Sequence, residues 1–360
     1  MLDPERPKSC GRSTKRTRFT PVLKDGILSL FEDSFRWVGR SLWHMSASLR
    51  NPAETAVWQC LNLQSTESCA IVTDDKRQAI GEALYRVASE TTEDSVLLRY
   101  PPGDQHGEEP PAPVAAAMAG ADVVLAPTTK SLSHTGARSE ANAAGARVAT
   151  LPGITDGVFL MGLDADYDAI AKHCRDVLAQ VEDATEIRVT SPQGTDVTFQ
   201  RGDREWQLDT GIVHEAGEMS NLPAGEVFVS PTTADGRFVV DGTMMPHGQL
   251  DGKELAFTVE DGSVTEISDD DVRTEIEAAA EEAGRDAYNL AELGIGTNVA
   301  VKELVGSVLL DEKAGGTVHI AIGDDHAIGG NTHAPIHLDG ILTEPMVFAD
   351  GEEVTLPSDE

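Results

Sequence analysis

Between residues 45 and 184, short apolar runs alternate with helix-patterned stretches, and this alternation constrains the fold more than any other feature of the sequence. The runs that predict buried strands are 68–74, 95–100, 121–127 and 147–153. Such alternation favours parallel strands joined by crossover helices. We therefore predict an α/β domain with an open, largely parallel sheet. No Gly-x-Gly-x-x-Gly follows the first strand, so the usual dinucleotide-binding fold is not supported.

After residue 184 the pattern changes to alternating polar and apolar residues around glycine turns, which is typical of β-structure. One clear helix is predicted from about residue 268, with Ser268 as its candidate N-cap and acidic residues in its first turn. We expect two domains after the N-terminal segment: the α/β domain over 45–184 and an α+β, metal-binding domain over 185–360.

Residues 1–44 differ in charge from the rest of the chain. They contain nine basic and five acidic residues, a net charge of 9 − 5 = +4, whereas the whole chain carries −33. Met45 opens a segment that is patterned like an N-terminal helix. We expect residues 1–44 to be a non-native or disordered extension, with translation starting at Met45. A targeting peptide is the alternative, although the segment lacks a clean apolar core.

The acidity of the chain limits its partners. It has 61 acidic and 28 basic residues, which argues against nucleic acid, because phosphate binding needs clustered Lys and Arg. No stretch of about 18 apolar residues is present, so we expect no membrane span. The acidic residues are dispersed, as on proteins from a salt-loaded, halophilic cytoplasm. The four cysteines form no CxxC, which favours reduced thiols in a cytoplasmic protein.

Four of the ten histidines lie within 19 residues, and acidic residues stand among them. The histidines are His319, His326, His333 and His337, and the acids are Asp324, Asp325 and Asp339. Imidazole and carboxylate together suit divalent transition metals. His337 and Asp339 are two apart, so on a strand they share a face. The residues alone leave two interpretations open, a metal site or a polar loop with hydrogen-bonded histidines.

Two isolated glutamates stand beside apolar strands and tight turns. Glu226 follows a Pro-Ala-Gly turn, and Glu292 precedes a glycine-rich turn. A buried carboxylate is unfavourable unless it is paired or bound to metal. Each glutamate therefore predicts either a metal ligand or a local partner for backbone groups.

Four segments in sequence order resemble the aminopeptidase T family of cocatalytic-metal leucyl aminopeptidases, in its shorter archaeal and bacterial form. They are PTTKSLSHTGARSEANAAGARVATLPG (127–153), HEAGEMSNLPAGEVFVSP (214–231), NLAELGIGTN (289–298) and GTVHIAIGDDHAIGGNTHAPIHLDG (316–340). The resemblance implies an α/β domain followed by a metal-binding α+β domain, and a cytoplasmic homodimer. It also implies an aminopeptidase that releases N-terminal residues from short peptides.

The resemblance carries a ligand set for two divalent metal ions, with Zn, Co and Mn all suitable. The matching positions are Glu226, Glu292, His319, His337 and Asp339. One of the two glutamates would bridge the metals, and one would double as general base. A metal-bridged water or hydroxide is the implied nucleophile.

Two further positions carry expectations. Where studied members of the family place a tyrosine, this chain has His326, seven residues after His319, as a candidate proton donor or metal ligand. Arg138 is the candidate ligand of a substrate carboxylate, with pairing to a local acid such as Glu140 as the alternative. No base-orienting acid accompanies Ser133 and His134, so Ser/His nucleophilic catalysis is not expected.

Two other functions remain open at this point. His319, His337 and Asp339 alone form a two-histidine, one-carboxylate set, which suits a single non-haem Fe(II) with open positions for oxygen. The 2,5-dihydroxypyridine dioxygenases are similar to the aminopeptidase family in fold and share the terminal His-x-Asp. A non-catalytic metal or small-ligand binder is the other alternative, because His326 replaces the tyrosine.

Overall fold

The computed structural model describes residues 49–358 of the chain, and these form three β-sheets with helices packed against them. The predictions made for residues 1–44 and for the start at Met45 lie outside the described residues. Helix α1 (Arg50–Glu54) continues into a π-helical stretch, Thr55–Cys60.

The first sheet is parallel throughout and has the strand order β2-β1-β3-β4-β8. Its strands are β1 (Cys69–Asp74), β2 (Ser95–Tyr100), β3 (Val123–Thr128), β4 (Arg147–Pro152) and β8 (Met219–Asn221). Helices α2 (Gln78–Thr91), α3 (Ala112–Ala119) and α4 (Gly136–Ala143) connect the first four strands. Strands β1 and β3 are buried along their whole length, as expected for central parallel strands covered on both faces. The predicted parallel α/β sheet is confirmed.

Two helices lead from this sheet to the rest of the molecule. They are α5 (Asp156–Leu163) and α6 (Tyr167–Val181), and the second lies inside the amphipathic stretch 164–184. The Thr155 hydroxyl caps the first by accepting from the N–H of Val158, and the Asp166 carboxylate caps the second by accepting from those of Asp168 and Ala169.

The second sheet is antiparallel, with the strand order β14-β13-β10-β6-β5-β18-β19. Its strands are β5 (Glu186–Thr190), β6 (Asp196–Gln200), β10 (Thr233–Val240), β13 (Leu255–Glu260), β14 (Ser263–Ile267), β18 (Met346–Ala349) and β19 (Glu352–Glu353). Helix α7 (Asp270–Ala283) follows β14. Its N-cap is Asp269 rather than the predicted Ser268, because the Asp269 carboxylate accepts from the N–H groups of Asp271 and Val272.

The third sheet is also antiparallel, with the strand order β12-β11-β17-β16-β15-β9-β7. Its strands are β7 (Gln207–Asp209), β9 (Glu226–Val229), β11 (Thr243–Met244), β12 (Gly248–Gln249), β15 (Leu290–Gly296), β16 (Val318–Gly323) and β17 (His337–Leu342). The short helix α8 (Val308–Asp311) lies in the connection between β15 and β16. Four neighbouring strands of this sheet carry the candidate metal ligands.

The described residues, 49–358, belong to one compact unit, and the boundary predicted between 184 and 185 stays a prediction. Across residues 49–358, the structure has no helix with both the length and the apolar character needed to cross a membrane.

Candidate metal centre

Neighbouring strands of the third sheet bring together all five residues that the sequence predicts as metal ligands. Glu226 begins β9, Glu292 lies in β15, and His319 lies in β16. His337 and Asp339 lie two apart in β17, as the His-x-Asp spacing predicts. Because β17, β16, β15 and β9 are consecutive in the sheet, residues 113 positions apart in the chain become neighbours in space.

A glycine opposite His319 makes room for its imidazole. Gly294 pairs with His319 across β15 and β16. A Cβ at position 294 would lie 2.0 Å from His319 Nε2 and 2.1 Å from its Cε1. The glycine of the Glu-Leu-Gly motif is therefore needed so that the ring can lie across the strand towards Glu292.

Glu292 lies between the two histidines. Its Oε1 is 3.1 Å from His319 Nε2, and its Oε2 is 3.2 Å from His337 Nε2. His337 Nε2 is also 3.4 Å from Asp339 Oδ1. On the other side, His319 Nε2 is 3.4 Å from Glu226 Oε2. The five side chains thus form a continuous chain of nitrogen and oxygen donors.

The donor atoms form two groups that share Glu292. One group is Glu226, Glu292 and His319, and the other is Glu292, His337 and Asp339, with the ligand atoms of each group within 4.8 Å of one another. Two buried atoms of this region, Glu226 Oε2 and His319 Nδ1, have no hydrogen-bond partner among the described residues. Mixed imidazole and carboxylate donors suit a divalent transition metal, so the residues fit a metal centre.

A backbone carbonyl sets the orientation of His337. Its Nδ1 lies 2.7 Å from the carbonyl oxygen of Asp324. A carbonyl oxygen can only accept, so Nδ1 carries the hydrogen and donates. In the neutral ring, Nε2 then has the free lone pair, directed at Glu292 and Asp339, as is usual for metal-binding histidines.

Burial and mutual contact shift the pKa values of the cluster in opposite directions. Burial raises the pKa of Glu226 to about 8. Burial also opposes ionisation of Glu292, but its contacts with His319 and His337 hold its pKa well below the usual range. Burial lowers the pKa of His319, yet Glu292 and Glu226 raise it to about 9. The pKa of Asp339 is lowered against burial by His337. A metal ion that binds here would therefore have to displace protons from Glu226 and His319, since imidazole and carboxylate bind metal in their deprotonated forms.

Three charged residues next to this cluster were not predicted from the sequence. Lys313 is only 3% exposed, and its Nζ contacts Glu226 Oε1. The same Nζ lies 2.9 Å from Glu312 Oε1 and 4.0 Å from Asp209 Oδ2. The sequence did offer one signal: a lysine in the Asp-Glu-Lys run just before an Ala-Gly-Gly segment, in a chain with few basic residues.

His326 and Arg138 lie apart from the cluster. His326 is exposed in the 3₁₀ turn 326–328, and its ring centroid is 3.9 Å from that of His333. Arg138 Nε donates to the Ser133 carbonyl at 2.7 Å, and its Nη1 donates to Asn142 Oδ1 at 3.1 Å. The predicted roles of His326 in proton transfer and of Arg138 in substrate binding gain no support from these positions.

A cavity of about 480 Å³ opens onto the metal centre. It lies between the third sheet, the end of β8 in the first sheet and the turn after β16. The described residues that line it include neither His326 nor Arg138, and they are His134, Gln207, Leu208, Asp209, Met219, Ser220, Asn221, Glu226, Phe228, Glu292, Glu312, Lys313, Asp324, Ala327, Ile328, His337 and Asp339. The volume lies in the range of sites for small organic ligands.

The sequence profile of one enzyme family, NicX, 2,5-dihydroxypyridine 5,6-dioxygenase, matches residues 54–358. The chain belongs to this dioxygenase family. The solved structure of 2,5-dihydroxypyridine dioxygenase from Pseudomonas putida KT2440 has a similar fold, with a TM-score of 0.71 and 18% identity, over 87% of this chain and 96% of that chain. Wild-type AmpT from Thermus thermophilus is also similar, with a TM-score of 0.59 and 17% identity, over 86% of this chain and 99% of that one. No curated protein matches the sequence significantly.

The family match corrects the predicted reaction. The aminopeptidase, hydrolase and protease assignments are wrong, because the matching profile is that of a ring-opening dioxygenase. The dioxygenase was the alternative interpretation of the same His-x-Asp motif. The error has a structural reason: AmpT and the dioxygenase share this fold, so motifs that position side chains on the third sheet do not by themselves distinguish hydrolysis from oxygen chemistry. Candidate metal-binding groups are present, whereas a count of two metals and the choice among Zn, Co and Mn gain no support.

Proposed function

We propose that this protein is a metal-dependent dioxygenase that opens the ring of 2,5-dihydroxypyridine or a close hydroxylated analogue. The observation that carries the proposal is the family match, which spans nearly all the described residues. A cavity of about 480 Å³ beside the donor cluster agrees with a substrate of one ring.

Glu292, His337 and Asp339 would hold the metal, and Fe(II) is the proposed ion. These residues offer one imidazole nitrogen and carboxylate oxygens. The two-histidine set expected from the sequence, His319, His337 and Asp339, does not come together as one such group among the described residues. Imidazole nitrogen is a suitable ligand for iron. When bound, the metal supplies the redox chemistry that lets molecular oxygen react with an aromatic ring. The chain supplies the orientation of the ligands, since the Asp324 carbonyl fixes the His337 ring.

The lining of the cavity offers groups that suit a hydroxylated ring. Asn221 Oδ1 accepts from the hydroxyls of Ser133 and Thr150, at 2.9 Å and 2.6 Å. Its amide nitrogen is then the donor offered to a ring hydroxyl. Phe228 and Leu208 line the same cavity and provide apolar surface for the face of a ring.

The test uses protein loaded anaerobically with Fe(II) and then mixed with 2,5-dihydroxypyridine in oxygenated buffer. We expect the aromatic absorbance to fall, and the change to require both iron and oxygen. His337→Ala and Asp339→Asn should each lower the rate at least about 100-fold, since each removes a ligand. His326→Ala is the matched control and should retain the rate within about threefold, because the ring is exposed and is not among the described residues that line the cavity. Loaded protein that leaves every dihydroxypyridine isomer unchanged would contradict the proposal.

A further inference from the structure

The Lys313 ammonium is enclosed by acids at one end of the donor cluster. Its Nζ contacts Glu226, lies 2.9 Å from Glu312 Oε1, and lies 4.0 Å from Asp209 Oδ2. The side chain is 4% exposed, so water provides little of its solvation. A buried ammonium is tolerated only where nearby carboxylates replace that water.

The backbone holds Lys313 in this position. Its N–H donates to the Leu310 carbonyl at 3.0 Å, and its carbonyl accepts from the N–H of Asn298 at 2.8 Å. The residue thus lies between the end of α8 and the bridge that joins Asn298 to Ala314. The backbone of this connection therefore positions the Lys313 side chain so that its ammonium contacts Glu226.

Of the two donor groups, one already contains a cation of the chain itself. Glu226 belongs to the group with Glu292 and His319, and its Oε1 is bound to Lys313. In the other group, Glu292 pairs with His319 and His337, and His337 pairs with Asp339. A divalent ion at the first group would compete with the ammonium for Glu226 and be repelled by it at short range.

We propose that the Lys313 ammonium takes the place of a second metal cation, so that the centre binds one divalent metal per chain, at Glu292, His337 and Asp339. This inference rests on the metal centre of the proposed function and adds the residue that sets its stoichiometry. Glu226 is then a partner of Lys313, which explains why a mononuclear centre keeps that glutamate. Lys313→Met removes the charge and frees Glu226 and His319 to accept a second ion.

The test is the number of metal ions per chain, measured by titration with Co(II) under anaerobic conditions and by elemental analysis after desalting. We expect about one equivalent in the wild type and about two in Lys313→Met. Lys172→Met is the matched control, since Lys172 is an exposed lysine paired with Asp176, and it should keep one equivalent. The double variant Lys313→Met/Glu226→Gln should return to one, because the second position then lacks a ligand.

Two results would overturn the inference. One is two equivalents in the wild type, which can be measured even if Lys313→Met does not fold. The other is a folded Lys313→Met protein, with a cooperative thermal transition, that still binds one. Ring opening is measured separately: one metal without ring opening would reject the proposed function and leave this inference standing, whereas two metals with ring opening would do the reverse.

Discussion

At the scale of residues, two buried glutamates with the same sequence signal have different partners. Glu292 lies between the imidazoles of His319 and His337, whereas Glu226 is bound to Lys313. The sequence predicts that each needs a partner, because an unpaired buried carboxylate is unfavourable. It does not predict which partner, because Lys313 is 87 positions from Glu226 in the chain and no local spacing links them.

Gly294 provides a test of the space that His319 needs. Gly294→Ala would place a methyl group about 2 Å from the imidazole, so the ring must move away from Glu292. We expect the free energy of unfolding to fall by about 1–3 kcal/mol, the usual cost of overpacking. Metal affinity should fall at least about tenfold, because the donor is displaced.

Gly157→Ala is the control for that substitution. Gly157 lies in helix α5, and the nearest atom to a new Cβ is Thr155 Oγ1 at 3.9 Å. Alanine there should leave stability unchanged or raise it by up to about 1 kcal/mol. Chemical denaturation measures the stability of both variants, and metal titration measures their metal affinity. If the two variants had the same stability and the same metal affinity, the space beside His319 would accommodate a methyl group, contrary to this prediction.

At the scale of elements, most of the first sheet could be predicted, because four of its five strands coincide with apolar runs of the right length. The predicted runs 68–74 and 95–100 match β1 (Cys69–Asp74) and β2 (Ser95–Tyr100) closely. The fifth strand, β8, escaped prediction. It has three residues, Met219–Asn221, and joins β4 from a distant part of the chain, so it carries no periodicity. This strand places Asn221 at the cavity.

The N-cap of helix α7 is a second element-scale test. Asp269 accepts from two backbone N–H groups of the first turn, and its other oxygen lies 2.6 Å from Lys253 Nζ. Asp269→Ala should lower the free energy of unfolding by about 1–2 kcal/mol, since the cap and its pairing are lost together. The neighbouring Asp270→Ala should change it by less than about 0.5 kcal/mol, because that carboxylate is 91% exposed. The free energy of unfolding of both variants is measured by urea denaturation. Equal losses of stability in the two variants would contradict the role of Asp269 as the N-cap.

At the scale of the whole molecule, the negative charge predicts a dependence of stability on salt. The chain carries 61 acidic against 28 basic residues. Salt shortens the screening length from about 10 Å at 0.1 M to about 3 Å at 1 M, which weakens the repulsion within the folded state. We expect the thermal unfolding midpoint to rise steadily as KCl is raised from about 0.1 M to about 2 M. A midpoint that is flat or falls over this range would argue against the salt-adapted surface.

For the molecule as a whole, the sequence predicts the fold but not the reaction. The parallel α/β sheet follows from strand patterns, and the five candidate ligands follow only from the family resemblance that the four ordered motifs carry. The reaction does not, because both AmpT and the dioxygenase from Pseudomonas putida have this fold. Lys313 and Asn221 line the cavity, and neither belongs to a sequence pattern with a known consequence.

The fate of molecular oxygen tests the central claim most directly. Protein loaded with Fe(II) is mixed with 2,5-dihydroxypyridine under ¹⁸O₂ in ordinary water, and the product is analysed at once by mass spectrometry. We predict a ring-opened product that carries both atoms of one ¹⁸O₂ molecule. A product with no ¹⁸O, or release of amino acids from peptides in place of ring opening, would contradict it.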